Sequence, residues 1–377
     1  MRIGLDALLL GRFDSGVEIY LRSLIRALAR ADSENEYIIY LTRDADPPDT
    51  EGNPRFTLRR APFRSGRRLA RILWEQVCLP RIIRRDGLDV FHAPGYVMPL
   101  LCPAPTVATI HDVIALTRPE LCKRSNAAHY RLLMPPTIRK ARKVVASSEA
   151  TKDAICSVVD VDPKKIEVVH PGVDAEFFGG QSPSDPVRRK YDLPDRYILF
   201  VGNIEPKKNL PVLFAAYDFL RRERKVRVPL VVVGKRGWQC GPVFEAVRRL
   251  RLEEHVLFRG YATREDLPAI YRMADVFVFP SIVEGFGLPI LEAMAAGAPV
   301  VASTSLAVLD AAGEAALTVP PDNARLLAVA IHKVLTNTFL RAALSERGRE
   351  RVKQFSWRGV AERMIEIYQE AAQAEKA

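Results

Sequence analysis

Short apolar runs rich in β-branched residues alternate with amphipathic stretches along the whole chain, from RIGLDALLL at its start to SWRGVAERMIEIYQEA near its end. A strand that is apolar on both faces must be covered on both, and between parallel strands the covering is the crossover helix that joins them. The alternation therefore predicts an α/β fold of parallel sheets wrapped by helices. In the first half, strands are expected near residues 2–7, 37–41, 90–92, 106–111, 144–147 and 166–169, with a first helix over 16–30. The second half restarts at 197–201 and continues at 230–233, 256–258, 276–279, 300–302 and 316–319. Between the halves, GGQSPSDP at 179–186 is a cluster of loop formers without apolar periodicity. With 377 residues, more than one core of ordinary size holds, the chain is expected to form two domains, 1–178 and 179–355. A closing helix over 356–377, with Val360, Met364, Ile365 and Tyr368 on one face, is expected to dock on the body.

Ligands of open α/β sheets sit outside the carboxyl ends of the strands, so residues that directly follow a strand are the candidates. YILFV runs into GNIEPKKN with Lys207 and Lys208, LVVV into Gly234 and Lys235, and DVFVF into PSIVEGFGLP with Glu284. Together these loops offer cations, glycines and a carboxylate, a set suited to a diphosphate and its attached sugar. Pro289 suits the first turn of a helix and Gly297 its end, which predicts a helix over about 289–296. The unpaired amides of Leu288 and the residues after it would attract negative charge, and Glu292 would sit close to them, ionised and able to accept from a ribose diol. In the first half, His111 and Asp112 follow TVATI, His92 closes DVF, and Gly16 ends the loop GRFDSG. A glycine there permits close approach to a phosphate, while a strand-end histidine such as His92 is more often structural. Asp44/Asp46 and Asp160/Asp162 have metal-type spacing, but both pairs lie in turn-like segments and read as caps.

The formal charge of +11 concentrates in residues 55–85, where ten arginines face the single acid Glu75 and Leu69, Ile72, Leu73, Trp74 and Val77 form an apolar face. A solvated basic helix is one reading and contact with anionic lipid headgroups another. No recognised nucleic-acid module accompanies the charge, so no nucleic-acid partner is expected. The five cysteines have no metal spacing and suit a reducing compartment. The opening apolar run is broken by Asp6 and does not read as a signal peptide. A cytoplasmic location, peripheral to the inner membrane face, is the expectation.

EGFGLPILE, ATIHD, VVHPGVD, ILFVGNIEPKKNL, GYATREDLPAIYRMADVFVFPS and EAMAAGAPVVAS resemble the retaining glycosyltransferases of family 4, bacterial mannosyltransferase-like members in particular. The resemblance implies the GT-B architecture, two Rossmann-like domains facing a central cleft and closing about a hinge near Gly179. It implies that Glu284 contacts the donor sugar, Glu292 the ribose and Lys208 the diphosphate, and that His111 supports the reacting sugar; His111, Glu284 and Lys208 are then the catalytic set. The donor set it implies adds Gly16, Gly202, Asn203, Lys207, Gly234, Lys235, Tyr261, Gly285, Phe286, Gly287 and Leu288. Where relatives carry an arginine, this chain has Asn203 and Lys207, and Leu309–Asp310 stands where Pro-Glu is common. The implied reaction passes a hexose, mannose from GDP-mannose first, to a glycan or lipid-linked acceptor in polysaccharide synthesis, without cofactor or catalytic metal. A UDP-sugar donor, a nucleotide-sugar epimerase and an inactive or nucleic-acid-binding protein are the alternatives.

Overall fold

The apolar runs form parallel strands throughout the computed structural model, which describes residues 1–11, 15–179 and 184–373. The first sheet consists of β1 (Arg2–Asp6), β2 (Glu36–Leu41), β3 (Phe56–Arg60), β4 (Val90–Ala93), β5 (Thr106–Ile110), β6 (Lys143–Ala146) and β7 (Ile166–Val168), in the order β3-β2-β1-β4-β5-β6-β7. Its register is set by pairs such as Gly4 with Ile38 and Leu5 with His92. Ile3 and Leu5 pack on one face against Leu21, Leu24 and Leu28 of the helix Gly16–Ala31. On the other face Phe91, Ala108 and Ile110 meet Leu79, Ile83, Met134 and Ile138. The second sheet consists of β8 (Ile198–Val201), β9 (Leu230–Val233), β10 (Val256–Gly260), β11 (Val276–Phe279), β12 (Val300–Ser303) and β13 (Ala316–Val319), in the order β10-β9-β8-β11-β12-β13. Counted from its own first strand, the first sheet runs 3-2-1-4-5-6-7 and the second 3-2-1-4-5-6, the doubly wound order, each with a switch point between its first and fourth strands. The uncharged stretch 90–110 is β4, a loop and β5.

The units divide differently from the expected 1–178, 179–355 and 356–377. Met1–Gly172 and Phe355–Ala377 form one, and Val173–Gln354 the other. The chain enters the second unit early because Asp174 is already bonded to Arg264 there and Phe177 packs on Tyr271. Residues 180–183 of the loop-forming cluster lie outside the described residues. The closing helix Trp357–Gln373 is part of the first unit, where Val360, Met364 and Tyr368 enter its core. A Cβ on Gly172 would come within 2.4 Å of the Trp357 amide nitrogen, so the returning segment lies directly on that glycine. His92 is fully buried and holds the helix down: Nδ1 shares a hydrogen bond with the Tyr368 hydroxyl at 2.8 Å, Nε2 one with Thr109 at 2.8 Å. Its structural reading is therefore the right one.

Residues 55–85 differ most from expectation. They begin with β3, an edge strand whose exposed arginines hid it from the pattern and suit an edge that must not pair further. A helix (Arg68–Leu73), a π turn (Trp74–Cys78) and a second helix (Leu79–Asp86) follow. Their buried side is Arg71, Glu75, Leu79 and Ile83, while Leu69, Leu73 and Val77 of the expected apolar face are 76%, 64% and 52% exposed. Two charges, Arg71 and Glu75, are inside, while Leu69, Leu73 and Val77 are outside.

Candidate active site

At the second sheet's switch point the chain leaves β8 and β11 in opposite directions, and their loops flank a crevice at the carboxyl ends. The loops following β8 and β9 touch through backbone: a Cβ on Gly234 would lie 2.0 Å from the Gly202 carbonyl oxygen, and φ there is +154°. Only glycine fits that approach. The amide of Ile204 donates to the Lys235 carbonyl (2.9 Å) and that of Ile282 to the Lys207 carbonyl (2.9 Å), so three loops become one ledge. On the ledge, Lys208 Nζ donates to Glu284 Oε1 at 2.6 Å and Lys207 Nζ to Glu284 Oε2 at 3.4 Å. Burial pushes the Glu284 carboxyl up, but Lys207 and then Lys208 outweigh it and hold it at about 2. Glu205 also lies 3.9 Å from Lys207, so two lysines and two carboxylates share a site in which Glu284 and Lys208 are largely buried. Lys235 and Tyr261, ending β9 and β10, also meet, with Nζ 4.0 Å from the ring centroid.

The helix expected over 289–296 runs from Leu288 to Ala295, with Gly287 before it and no side chain capping it. Pro289 has no amide and that of Ile290 donates to the Gly287 carbonyl (2.9 Å), so two of the expected anion-binding amides are out of play. Phe286 is buried and anchors the loop. Glu292 lies one turn in and is itself buried; its Oε1 accepts from Arg264 Nη1 at 2.9 Å and its Oε2 from the Tyr271 hydroxyl at 3.2 Å. Arg264 also binds Asp174 through Nε at 2.8 Å and through Nη2. Burial opposes the guanidinium's charge, but Glu292 and Asp174 together raise its pKa further. Arg264 escaped the sequence reading although it follows β10 in GYATRED, and inspecting every strand end would have found it.

In the first unit, His111 follows β5, and its Nε2 lies 2.8 Å from the Pro94 carbonyl. A carbonyl only accepts, so Nε2 carries the proton. Burial lowers the imidazole pKa against the pull of Pro94 and Asp112, which favours the neutral ring. Its edge meets Tyr20 and Tyr96, with centroids at 4.7 and 5.3 Å. Gly16 opens its helix behind the Ser15 cap, and a Cβ there would meet nothing within 4 Å. Arg12, Phe13 and Asp14 of the same loop lie outside the described residues. Asp44 accepts from the amide and hydroxyl of Ser65, and Asp162 caps the turn Pro163–Lys165, which are the turn roles expected of them.

Residues 15–177 match the family model described as Glycosyltransferase Family 4, and residues 183–351 match Glycosyl transferases group 1. The O-antigen chain mannosyltransferase B of Escherichia coli is 31% identical over 288 residues, 75% of this chain and 75% of that protein. The D-inositol 3-phosphate glycosyltransferase of Salinispora arenicola is 28% identical, covering 95% of this chain and 88% of its own. Among solved structures, sucrose-phosphate synthase from Thermosynechococcus elongatus superposes with a TM-score of 0.78 at 23% identity, over 99% of this chain and 100% of that one. HepE of Anabaena in complex with UDP-glucose gives 0.76 at 20% identity, over 98% and 100%. These likenesses span both parallel-sheet units and show the two-domain α/β architecture expected from the sequence.

Proposed function

We propose, from the premise that this chain belongs to glycosyltransferase family 4 and is a glycosyltransferase, that it transfers a hexose from a nucleotide donor to a glycan or lipid-linked acceptor with retention. Mannose from GDP-mannose is the first choice, supported by the mannosyltransferase relative. The observation that carries the reading is the ledge at the switch point, where Lys207 and Lys208 share Glu284.

Cleaving the bond between an anomeric carbon and a diphosphate leaves a cationic sugar and a strongly anionic leaving group. Lys207 and Lys208 are placed to take the departing charge, and preorganised charges of this kind supply several kcal/mol in a site with little water. A phosphate entering the ledge must draw the lysines from Glu284, and the carboxylate so released can accept from sugar hydroxyls. Glu292, held by Arg264, retains acceptor lone pairs for a ribose diol. An acceptor hydroxyl entering on the face the diphosphate leaves can give its proton to a phosphate oxygen, so neither a catalytic metal nor a dedicated base is required. A UDP-sugar is the second reading, favoured by the UDP-glucose bound in HepE.

The stripe Leu69, Leu73 and Val77 beside Arg67, Arg68 and Arg81 supports peripheral contact with an anionic membrane, as a lipid-linked acceptor would require. Equal sedimentation with neutral and anionic vesicles would overturn that contact. The donor is tested by thermal shift of the full chain against GDP, UDP, GDP-mannose and UDP-glucose. Stabilisation by one nucleotide family, lost in Lys208→Ala, is expected; no shift with any of them would remove the reading.

A further inference from the structure

Substrates of an open parallel sheet gather at the carboxyl ends of its strands, so a cleft at the amino ends calls for a different occupant. The first sheet has such a cleft, of about 570 Å³, where Arg2 and Glu36 open β1 and β2, Arg55 precedes β3 and the helix Leu79–Asp86 ends. Residues two apart share one face of a strand, so Arg55, Thr57 and Arg59 stand together on the face of Ile38, the partner of Thr57 in β2. Arg85 and Asp86 line the cleft from the end of the helix. Four guanidinium groups, of Arg2, Arg55, Arg59 and Arg85, thus meet two carboxylates, of Glu36 and Asp86.

The carboxylates are already held. Arg2 donates to Glu36 Oε2 through Nε and Nη2, at 3.1 and 3.0 Å, and to the Asp86 carbonyl through Nη1 at 3.0 Å. Buried Asp86 takes the Tyr40 hydroxyl at 2.9 Å on Oδ2, and Arg59 Nη2 lies 2.6 Å from its Oδ1. Arg59 keeps its other donors, and the Arg55 side chain makes one long hydrogen bond, 3.4 Å to the Glu34 carbonyl. Arg85 makes no hydrogen bond or ion pair among the described residues. Arg60, on the opposite face of the same strand, shows the contrast: its Nη1 is engaged by the carbonyls of Thr42, Arg43 and Ala45.

We propose that this cleft is a second ligand site, which binds a phosphate monoester. The inference goes beyond the glycosyltransferase reading, because the cleft lies at the opposite ends of the strands from the residues that reading uses. Three guanidinium groups with donors to spare converge on one concavity, and their mutual repulsion is relieved only by an anion. The excess of two cations over the lining carboxylates matches the nearly dianionic charge of a phosphate monoester at neutral pH. Each planar guanidinium can set two N–H groups against two phosphate oxygens. A single carboxylate would balance half of that charge, and an uncharged sugar none of it. Ile38 and Pro54 leave apolar lining for the organic part of the ester. The phosphate can be carried by a soluble ester or by a lipid headgroup.

The test uses the full chain and one headgroup in two forms. Glycerol 3-phosphate is titrated in by calorimetry, and phosphatidylcholine vesicles with and without phosphatidic acid are used for flotation. Arg55→Gln and Arg85→Gln change exposed side chains, so both variants should fold. Each is expected to weaken binding roughly tenfold, as loss of a charge-assisted hydrogen bond predicts. Arg249→Gln makes the same charge change on an exposed residue of the second unit and should stay within about twofold. Calorimetric binding that falls in the two cleft variants supports the proposal and makes the ligand a soluble ester. Flotation that needs phosphatidic acid and falls in the same variants, with little heat from glycerol 3-phosphate, supports it and makes the ligand a lipid headgroup. Binding of neither probe, binding that both cleft variants retain, or an equal loss in Arg249→Gln overturns it. So does a loss confined to Lys208→Ala, since the phosphate would then sit on the lysine ledge. Stabilisation by nucleotides should be the same in both cleft variants as in the wild type, and its absence from all three would remove the donor reading without touching this one.

Discussion

The two sheets share the doubly wound order and one kind of switch point, yet they place different charged groups beside it. The second unit sets Lys207 and Lys208 against Glu284 and Glu205, two lysines and two acids in adjoining loops. The first sets Asp6 and Glu75 about Arg71, two acids and one cation. A doubly wound sheet thus supplies the place for chemistry and leaves its sign to the loops. Paired lysines suit a diphosphate, whereas a buried acid pair about one guanidinium holds on to protons.

The largest effect is expected where the second unit buries its own acids. Arg264→Ala would leave Asp174 and Glu292 buried without their guanidinium, and breaking such a group from one side costs about 3–5 kcal/mol. Urea unfolding measures this, and a loss under about 1 kcal/mol would show that the acids do not depend on Arg264. Lys208→Ala comes next, with turnover of donor down at least tenfold and towards roughly 10³-fold, the usual range for one lost electrostatic contact to a developing charge. Its melting curve should stay cooperative, because removing the lysine leaves Lys207 paired with Glu284. Full turnover in the variant would end the ledge's role as the diphosphate site.

The pH dependence of stability should separate the units by sign. Glu284 is held at about 2 against an ordinary 4.5, so its contribution is complete above 4.5 and is lost as pH falls towards 2, on the order of 3 kcal/mol. Asp6 and Glu75 are raised, so the folded state keeps protons that the unfolded chain has released, and their burial costs more as pH rises from 3.8 through about 6 for Asp6 and from 4.5 through about 8 for Glu75. Glu284→Gln should flatten the acid limb of a stability curve. Glu75→Gln should flatten the limb above neutrality and raise the melting temperature there by a few degrees. If both variants changed the same limb, the two switch points would not differ in the way described.

Much of this was legible in the residues. Apolar runs located both sheets because parallel strands must be buried on two faces, and Lys207, Lys208 and Glu284 stood out as charges directly following such runs. Pro289 and Gly297 bounded their helix to within one residue. Arg71 and Glu75 were not legible, because periodicity assumes that the buried side of a helix is its apolar side, and over residues 68–78 that assumption is inverted. β3 was lost for a related reason, since an edge strand exposed on most of its residues carries no apolar signature. The ties of Glu292 to Arg264 and Tyr271 span 28 and 21 residues, and such contacts exist only once the strands are ordered.

The smallest effect touches one unit only. Tyr368 brings its hydroxyl from the end of the chain to fully buried His92 in β4, and Tyr368→Phe deletes that oxygen while keeping the ring. One hydrogen bond is worth about 1 kcal/mol net, and the exposed need of His92 Nδ1 for a partner adds to the loss, for a total of roughly 1–3 kcal/mol. Burial holds the His92 imidazole down to about 3, so the ring stays neutral and the cost should not vary between pH 5 and 8, a range well above that value. The loss should appear in the first unit's unfolding while nucleotide binding by the second is unchanged, because the closing helix packs into the first unit's core. A matching loss of nucleotide affinity would mean that the two units do not hold their chemistry separately.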